Sequence, residues 1–455
     1  MQLKSVNPAN GELIHVYEEF QWGEIDNCLD DATDAYCQWR QTSLVKRVEL
    51  VNALAVKLLE KKEGLAVGIS LEMGKPIRES RAEIEKCAWV CRYYAENAEK
   101  FLARQEVPTE ASLSYVSFQP LGSVLAIMPW NFPYWQVFRF AVPALVAGNT
   151  VLLKHASNVP ACAVAIEQLF LEAGFPEKTF QTLLISSRKI DNVISDKRIQ
   201  AVTFTGSTPA GRSVAELCGK NLKKSVLELG GSDPYLILAD ADIPQAADIC
   251  VKARMLNGGQ SCISAKRFIV EDSIYDQFED LVLQKMKNIV MGDPLDEGTQ
   301  LGPLARNNIR LDLQMQVNNS LTKGARLLLG SDNPDLPGAF YPPTVLTDVK
   351  YGMPAYNEEL FGPVVALIRV QDEKEAIFVA NDTNFGLGAA IFTRDAEKGR
   401  HIAEYELEAG TCFVNDFVRS DPRLPFGGIH DSGFGRELSH FGLHEFMNIK
   451  TIVAR

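Results

Sequence analysis

The 455-residue chain lacks a long uninterrupted apolar run, an excess of positive charge and tandem close-spaced cysteine pairs. Each absence excludes a class. The most apolar stretch, Leu121 to Leu153, is broken by Pro129, Asn131, Pro133, Gln136, Arg139, Pro143 and Asn149. It never reaches the about 18 consecutive apolar residues of a membrane helix. The opening Met1-Gln-Leu-Lys-Ser-Val-Asn-Pro-Ala-Asn-Gly is polar and turn-rich, with no apolar segment behind it, so no secretory leader is expected. Lys and Arg number 46 against 58 Asp and Glu, a formal net charge of −12, which argues against nucleic acid or an anionic membrane as partner. The nine cysteines are an odd number without zinc-type spacing. That pattern fits reduced thiols in the cytoplasm and no structural metal. Histidines number only six, none beside the motifs below in a base-like context except His155, which reads as packing. The usual three-glycine dinucleotide fingerprint is also missing.

What is present is a globular composition, 46% apolar and 23% charged, over a length of about three domain-sized units. The first third reads as helical, with apolar residues at helical spacing through Val48–Leu59 and Ile84–Ala95. Cys87 and Cys91 lie on the second of these stripes and read as small core residues. From Ser112 the pattern changes to strands alternating with helices: strands at 112–118, 123–128, 150–154, 180–185, 201–205, 225–228 and 235–238, helices at 161–173 and 210–218. This alternation implies a doubly wound α/β fold. A second α/β series starts near Gly258, with strands at 267–270, 340–348, 364–370 and 388–393 and a helix at 274–289. The tail 446–453 is an isolated apolar strand that needs a covering partner, from this chain or another.

Four segments carry candidate chemistry. Cys262 follows two glycines in Asn257-Gly-Gly-Gln-Ser-Cys262, where main-chain N–H groups can face a pocket and a thiolate can attack a carbonyl carbon; a small core cysteine is the plain alternative. Glu228 ends an apolar strand before Leu229-Gly230-Gly231, the place where doubly wound sheets bind ligands. There it is a general base with raised pKa or an ion-pair residue. Asn131 stands between Pro129 and Pro133, either as an oxyanion donor or in an Asx-turn. Thr205-Gly206-Ser207 joins a strand to a helix, a junction suited to a cofactor phosphate.

Together, Pro129–Pro133, Lys154, Phe204–Ser207, Glu228–Gly231, Gly259–Cys262, Glu359-Leu-Phe-Gly-Pro363 and Pro425-Phe-Gly-Gly428 resemble, in order and content, the NAD(P)-dependent aldehyde dehydrogenase superfamily. The resemblance implies a Rossmann-type cofactor domain, an α/β catalytic domain and a β oligomerisation arm. It implies Cys262 as nucleophile, Asn131 and the Cys262 N–H as oxyanion donors, and Glu228 as the base that hydrolyses a thioester. Trp130, Lys154, Ser157, Gly206, Ser207, Leu229, Glu359 and Phe361 would bind the cofactor. Residues 1–111 and 129–228 would form the cofactor domain, 229–425 the catalytic domain, and 112–128 with 426–455 the arm of a homodimer or homotetramer.

Departures from the common pattern narrow this further. NAD-preferring members often carry a glutamate where this chain has Ser157. A carboxylate would repel a 2′-phosphate whereas a serine beside Lys154 can bind it, so NADP is expected over NAD. Arg139 and Ser420 are similar to the carboxylate-binding residues of succinate semialdehyde dehydrogenases, with Trp135 and Phe426 as apolar walls. Arg139 as a purely structural ion-pair partner is the alternative. A second arginine of that subfamily is replaced by Leu256, and a second cysteine found in some relatives by Ser264. The broader alternative is a dehydrogenase of other short ω-carboxy or aliphatic aldehydes; a non-catalytic relative and a thiol hydrolase are disfavoured.

Overall fold

The computed structural model describes residues 2–332 and 334–455. Two large sheets organise it. The first has six strands, in the spatial order Gly433–Phe434, Lys224–Glu228, Ile199–Thr205, Ser123–Met128, Thr150–His155 and Phe180–Thr182. All run parallel except the short 433–434 edge. After the 123–128 strand the chain moves to one side through 150–155 and then returns to the other side at 199–205. The loops leaving 123–128 and 199–205 therefore diverge, which opens a crevice at the carboxyl ends of the strands. The second sheet has seven strands, with 234–237, 267–271, 364–370 and 388–392 at its centre.

Burial explains the strand sequences. The 123–128 and 150–155 strands are buried along their whole lengths, as expected for parallel strands covered on both faces. The helix Trp135–Ala147 is buried on every side despite Pro143. Its first N–H groups are met by another helix: the Glu83 carboxylate accepts from Tyr134 N at 2.8 Å and Trp135 N at 3.0 Å. Glu83 in turn pairs with buried Lys75. The helix Pro160–Glu172 ends where Gly174 takes φ +87°, a left-handed position that glycine fills without strain.

Several expectations change. The N-terminus forms an antiparallel hairpin, Gln2–Val6 with Leu13–Glu18, in a region that reads as polar turns; its first strand buries Leu3 and Ser5, and a serine in that row breaks the apolar alternation. The 180–185 strand stops at Thr182. The tail strand Met447–Ala454 pairs antiparallel with Leu113–Pro120 of the same chain, which partners one edge of the tail strand. Residues 123–128, grouped in sequence with the arm, sit in the middle of the six-stranded sheet. The 433–434 strand likewise closes that sheet's edge. The three-stranded arm thus comprises only 105–106, 113–120 and 447–454. The turn at Gly122, φ +142°, separates arm from core.

Candidate active site

The crevice opens into a cavity of about 560 Å³. Its walls come from the three strand ends: Pro129, Trp130 and Asn131; Thr205, Gly206 and Ser207; Leu229 and Gly230. Glu359 and Phe361 close the opposite side, and Cys262 lies at the inner end. A second, smaller cavity of about 170 Å³ starts from the other side of Cys262 and Gln136. Trp135, Arg139, Ser420 and Phe426 line it. Cys262 and Gln136 are shared by both cavities, so the thiol stands at their junction.

The loop before Cys262 is held in an unusual shape. Asn257, Gly258 and Gly259 have φ of 57°, 61° and 72°, three successive left-handed residues. A side chain at Gly259 would collide with the Gly362 carbonyl, so glycine is required there. Asn257 N donates to Glu79 at 2.7 Å, and Asn257 Nδ2 donates to the Asn131 carbonyl at 2.8 Å. Asn131 Nδ2 donates to the Gln260 carbonyl at 3.0 Å. That uses one of its two hydrogens, and the other has no partner among the described residues, on a side chain that lines the cavity. Lys266 Nζ binds the carbonyls of Ser261 at 2.9 Å and Cys262 at 2.7 Å. Ser264 accepts from Arg254 and donates to main-chain carbonyls, which ties the loop to the preceding helix.

Burial pushes the Cys262 thiol up to about 12; Glu359 and Glu228 add to this, while Arg139 and Lys266 oppose it. Glu228 is 2% exposed, and neither carboxylate oxygen has a hydrogen-bond partner among the described residues. Burial first, then the neighbouring Glu437, raises its pKa well above the ordinary value, against Arg139 and Arg436. It lies behind Gly427, outside the walls of both cavities. A raised pKa makes this carboxylate a stronger base than an ordinary glutamate.

Arg139 does face the smaller cavity, but its guanidinium forms an ion pair with Glu437, both groups being 2% exposed. Its Nη2 lies 3.4 Å from Thr205 Oγ1, and it stacks 5.1 Å from the Phe426 ring. The structural alternative is thus realised alongside the pocket-facing one. Ser420 Oγ accepts from Trp135 Nε1 at 3.1 Å and from Lys86 Nζ at 2.8 Å. On the cofactor side, Trp130 meets Phe361 edge to face at 5.7 Å. Glu359 accepts from Gly231 N at 3.2 Å. Gly211 lets the helix Thr208–Lys220 press against Leu229, and Ser207 heads that helix without capping it. Lys154 and Ser157 lie outside the 560 Å³ cavity. Ser157 opens on an adjoining one, and Arg306 lines both. His155 is packing, as expected: it bonds the Pro133 carbonyl at 2.8 Å, and burial pulls it down to about 4.

Residues 1–452 match the family model described as the aldehyde dehydrogenase family. The chain belongs to the aldehyde dehydrogenase family. A probable succinate-semialdehyde dehydrogenase [NADP(+)] of Synechocystis sp. is 47% identical over 452 residues, covering 99% of each chain. Succinate-semialdehyde dehydrogenase [NADP(+)] 1 of Mycobacterium tuberculosis is 45% identical, again over 99% of each. The crystal structure of succinic semialdehyde dehydrogenase from Streptococcus pyogenes with NADP+ superposes with a TM-score of 0.97 at 39% identity, covering 99% of each chain.

Five residues of this aldehyde dehydrogenase escape sequence reading: Lys86, Glu437, Gln136, Glu79 and Glu83. A signal exists for two of them. Glu79 and Glu83 recur on the same helical face as Cys87 and Val90, where a solvated helix does not place carboxylates. Lys86, Glu437 and Gln136 leave none, because their roles arise from contacts between segments distant in sequence. Among the described residues no helix is long and apolar enough to cross a membrane.

Proposed function

We propose that the enzyme oxidises succinate semialdehyde to succinate with NADP, through a thioester on Cys262. The observation that carries this is the position of Cys262 at the junction of two cavities, one lined by cofactor-type loops and one by Arg139 and Ser420.

The cofactor cavity fits a dinucleotide. A side chain at Gly230 would run into Glu359, and one at Gly206 would lie 2.6 Å from the Phe204 ring. Lys154, 8% exposed, has no carboxylate or hydrogen-bond partner among the described residues, and burial pushes it down to about 8. A phosphate beside Ser157 would satisfy it. Ser207 and the helix end behind it suit the pyrophosphate, and Glu359, Trp130 and Phe361 suit the nicotinamide end.

Cys262 loses its proton and its sulfur attacks the aldehyde carbon. That proton passes to solvent through the cavity, and Glu228 serves the later hydrolytic step. The second Asn131 Nδ2 hydrogen and the Cys262 N–H hold the oxyanion of the thiohemiacetal. NADP, when bound, supplies the hydride acceptor, which leaves a thioester on Cys262. Glu228 then takes a proton from water as it attacks the thioester carbon; the C–S bond breaks, the proton passes from Glu228 to the departing Cys262 sulfur, and the carboxylic acid is released.

Arg139 attracts the substrate's distal carboxylate from the small cavity while Glu437 holds its other edge. Trp135 and Phe426 flank the short methylene chain. The enzyme works in the cytoplasm, a setting supported by nine free cysteines. It assembles as a homodimer or a dimer of dimers. The exposed Ile449 and Val453, on a strand with one open edge, support this. A matrix of initial rates over aldehydes of increasing chain length, with and without an ω-carboxylate, against NADP and NAD tests the reading. Succinate semialdehyde with NADP is expected to give the highest kcat/KM. A higher value for butanal, or for NAD, would overturn it.

A further inference from the structure

The small cavity holds three cations, and two are already engaged. Arg139 pairs with Glu437, and Arg419 pairs with Asp416 at 2.6 Å. The third, Lys86, has no carboxylate partner among the described residues. It donates to Ser420 Oγ at 2.8 Å and lies 4.3 Å from the Trp135 ring. The nearby carboxylates are occupied elsewhere: Glu83 with Lys75, Asp421 with Arg423 at 2.6 Å, and Glu79 with the Asn257 N–H.

Ser420 adds a directional clue. Its oxygen accepts from both Lys86 Nζ and Trp135 Nε1, so both lone pairs are used and its own hydrogen must donate. An ammonium with unused N–H bonds and a hydroxyl restricted to donating therefore meet on one wall. Such a wall can satisfy a group that only accepts. On the same cavity, Leu256 occupies the place where the resembling subfamily has a second arginine.

Resting on the substrate reading above, we propose that Lys86 is a direct ligand of the substrate's distal carboxylate, acting with the Ser420 hydroxyl and supplying the second positive charge that Leu256 does not. Arg139, spent partly on Glu437, attracts the carboxylate; Lys86 and Ser420 fix it by hydrogen bonds. The arrangement makes substrate choice sensitive to pH. Burial, and secondarily the Arg139 charge, pulls Lys86 down to about 8, against Cys87, Asp421 and Glu83, which raise it. Glu79 and Arg419 also face the cavity. Lys86 is charged below that pH and neutral above it.

The readout is the ratio of kcat/KM for succinate semialdehyde to that for butanal, in which the chemistry common to both cancels. Lys86→Met is expected to lower the ratio about 30-fold. In the wild type it should fall as the pH rises through about 8, and in Lys86→Arg it should stay level to higher pH. A wild-type ratio near one overturns the substrate reading itself. A high wild-type ratio that Lys86→Met leaves unchanged overturns only the assignment of Lys86. Should Lys86→Met not fold, the wild-type profile decides: a ratio that stays level across pH 7 to 9.5 overturns the assignment.

Discussion

The Arg139–Glu437 pair allows a quantitative test of how the small cavity is built. Arg139→Met removes the cation while keeping an apolar stem beside Phe426. Glu437 is then left 2% exposed, with Glu228 as its buried neighbour. Removing one partner of a buried pair costs about 3–5 kcal/mol, because the remaining charge is desolvated and uncompensated. Glu437→Gln should cost less, since Arg139 keeps the attraction of Glu228 and its contact with Thr205. The double variant Arg139→Met with Glu437→Gln removes both charges and should recover much of the first loss. The expected coupling energy is about 2 kcal/mol or more. Urea unfolding of the four proteins at pH 7.5 measures it, provided the slopes agree. If the two single costs add to within about 0.5 kcal/mol, the pair is not coupled in solution and the reasoning fails. Kinetics on the same proteins separate stability from substrate binding. The double variant should still have a raised KM for succinate semialdehyde relative to butanal, because the charge facing the cavity is gone.

Three further outcomes follow from the site. Glu228→Gln should release one equivalent of NADPH per active site in a burst, followed by a steady state slowed about 10²–10⁴-fold; stopped-flow absorbance that shows no burst would remove Glu228 from the hydrolytic step. Ser157→Glu should lower kcat/KM for NADP at least about tenfold while sparing NAD, through repulsion of the 2′-phosphate; equal losses with both cofactors would place the phosphate elsewhere. Glu79→Gln tests linkage. Burial raises Glu79 from 4.5 to about 7, so ionising it costs the folded state up to about 3 kcal/mol, a penalty absent below pH 4.5 and complete above 7. The glutamine should therefore stabilise the protein at pH 8 and change little at pH 4.5, by urea unfolding at both; no difference between the two would refute the raised carboxyl.

Much of this protein was legible from local pattern. The strands at 123–128, 150–155 and 199–205 announce themselves as apolar runs because both faces are covered. The motif residues Asn131, Ser207, Leu229, Glu359 and Cys262 then fall on one cavity, since each sits at a strand end or loop of the two sheets. The hairpin at 2–18 was not legible, because the buried row of its first strand includes the polar Ser5 and its second strand buries no residue. Nor was the membership of 123–128, which continues the arm in sequence but pairs with 150–155 and 199–205 in space.

The chain's lack of basic excess, membrane-length apolar runs and paired cysteines, together with its motif order, determined by itself the family and the fold class. These depend on residue types in sequence, which short-range chemistry fixes. Tertiary structure alone decided the charge arrangement. Arg139 meets Glu437 across almost three hundred residues of sequence, and Lys86 meets Ser420 across an even longer separation. It also decided which charges surround the Cys262 thiol, Glu359 and Glu228 raising it and Arg139 and Lys266 lowering it. The physical reason is common to all three: desolvation and the company a charge keeps depend on which distant segments pack around it, and no local pattern encodes that.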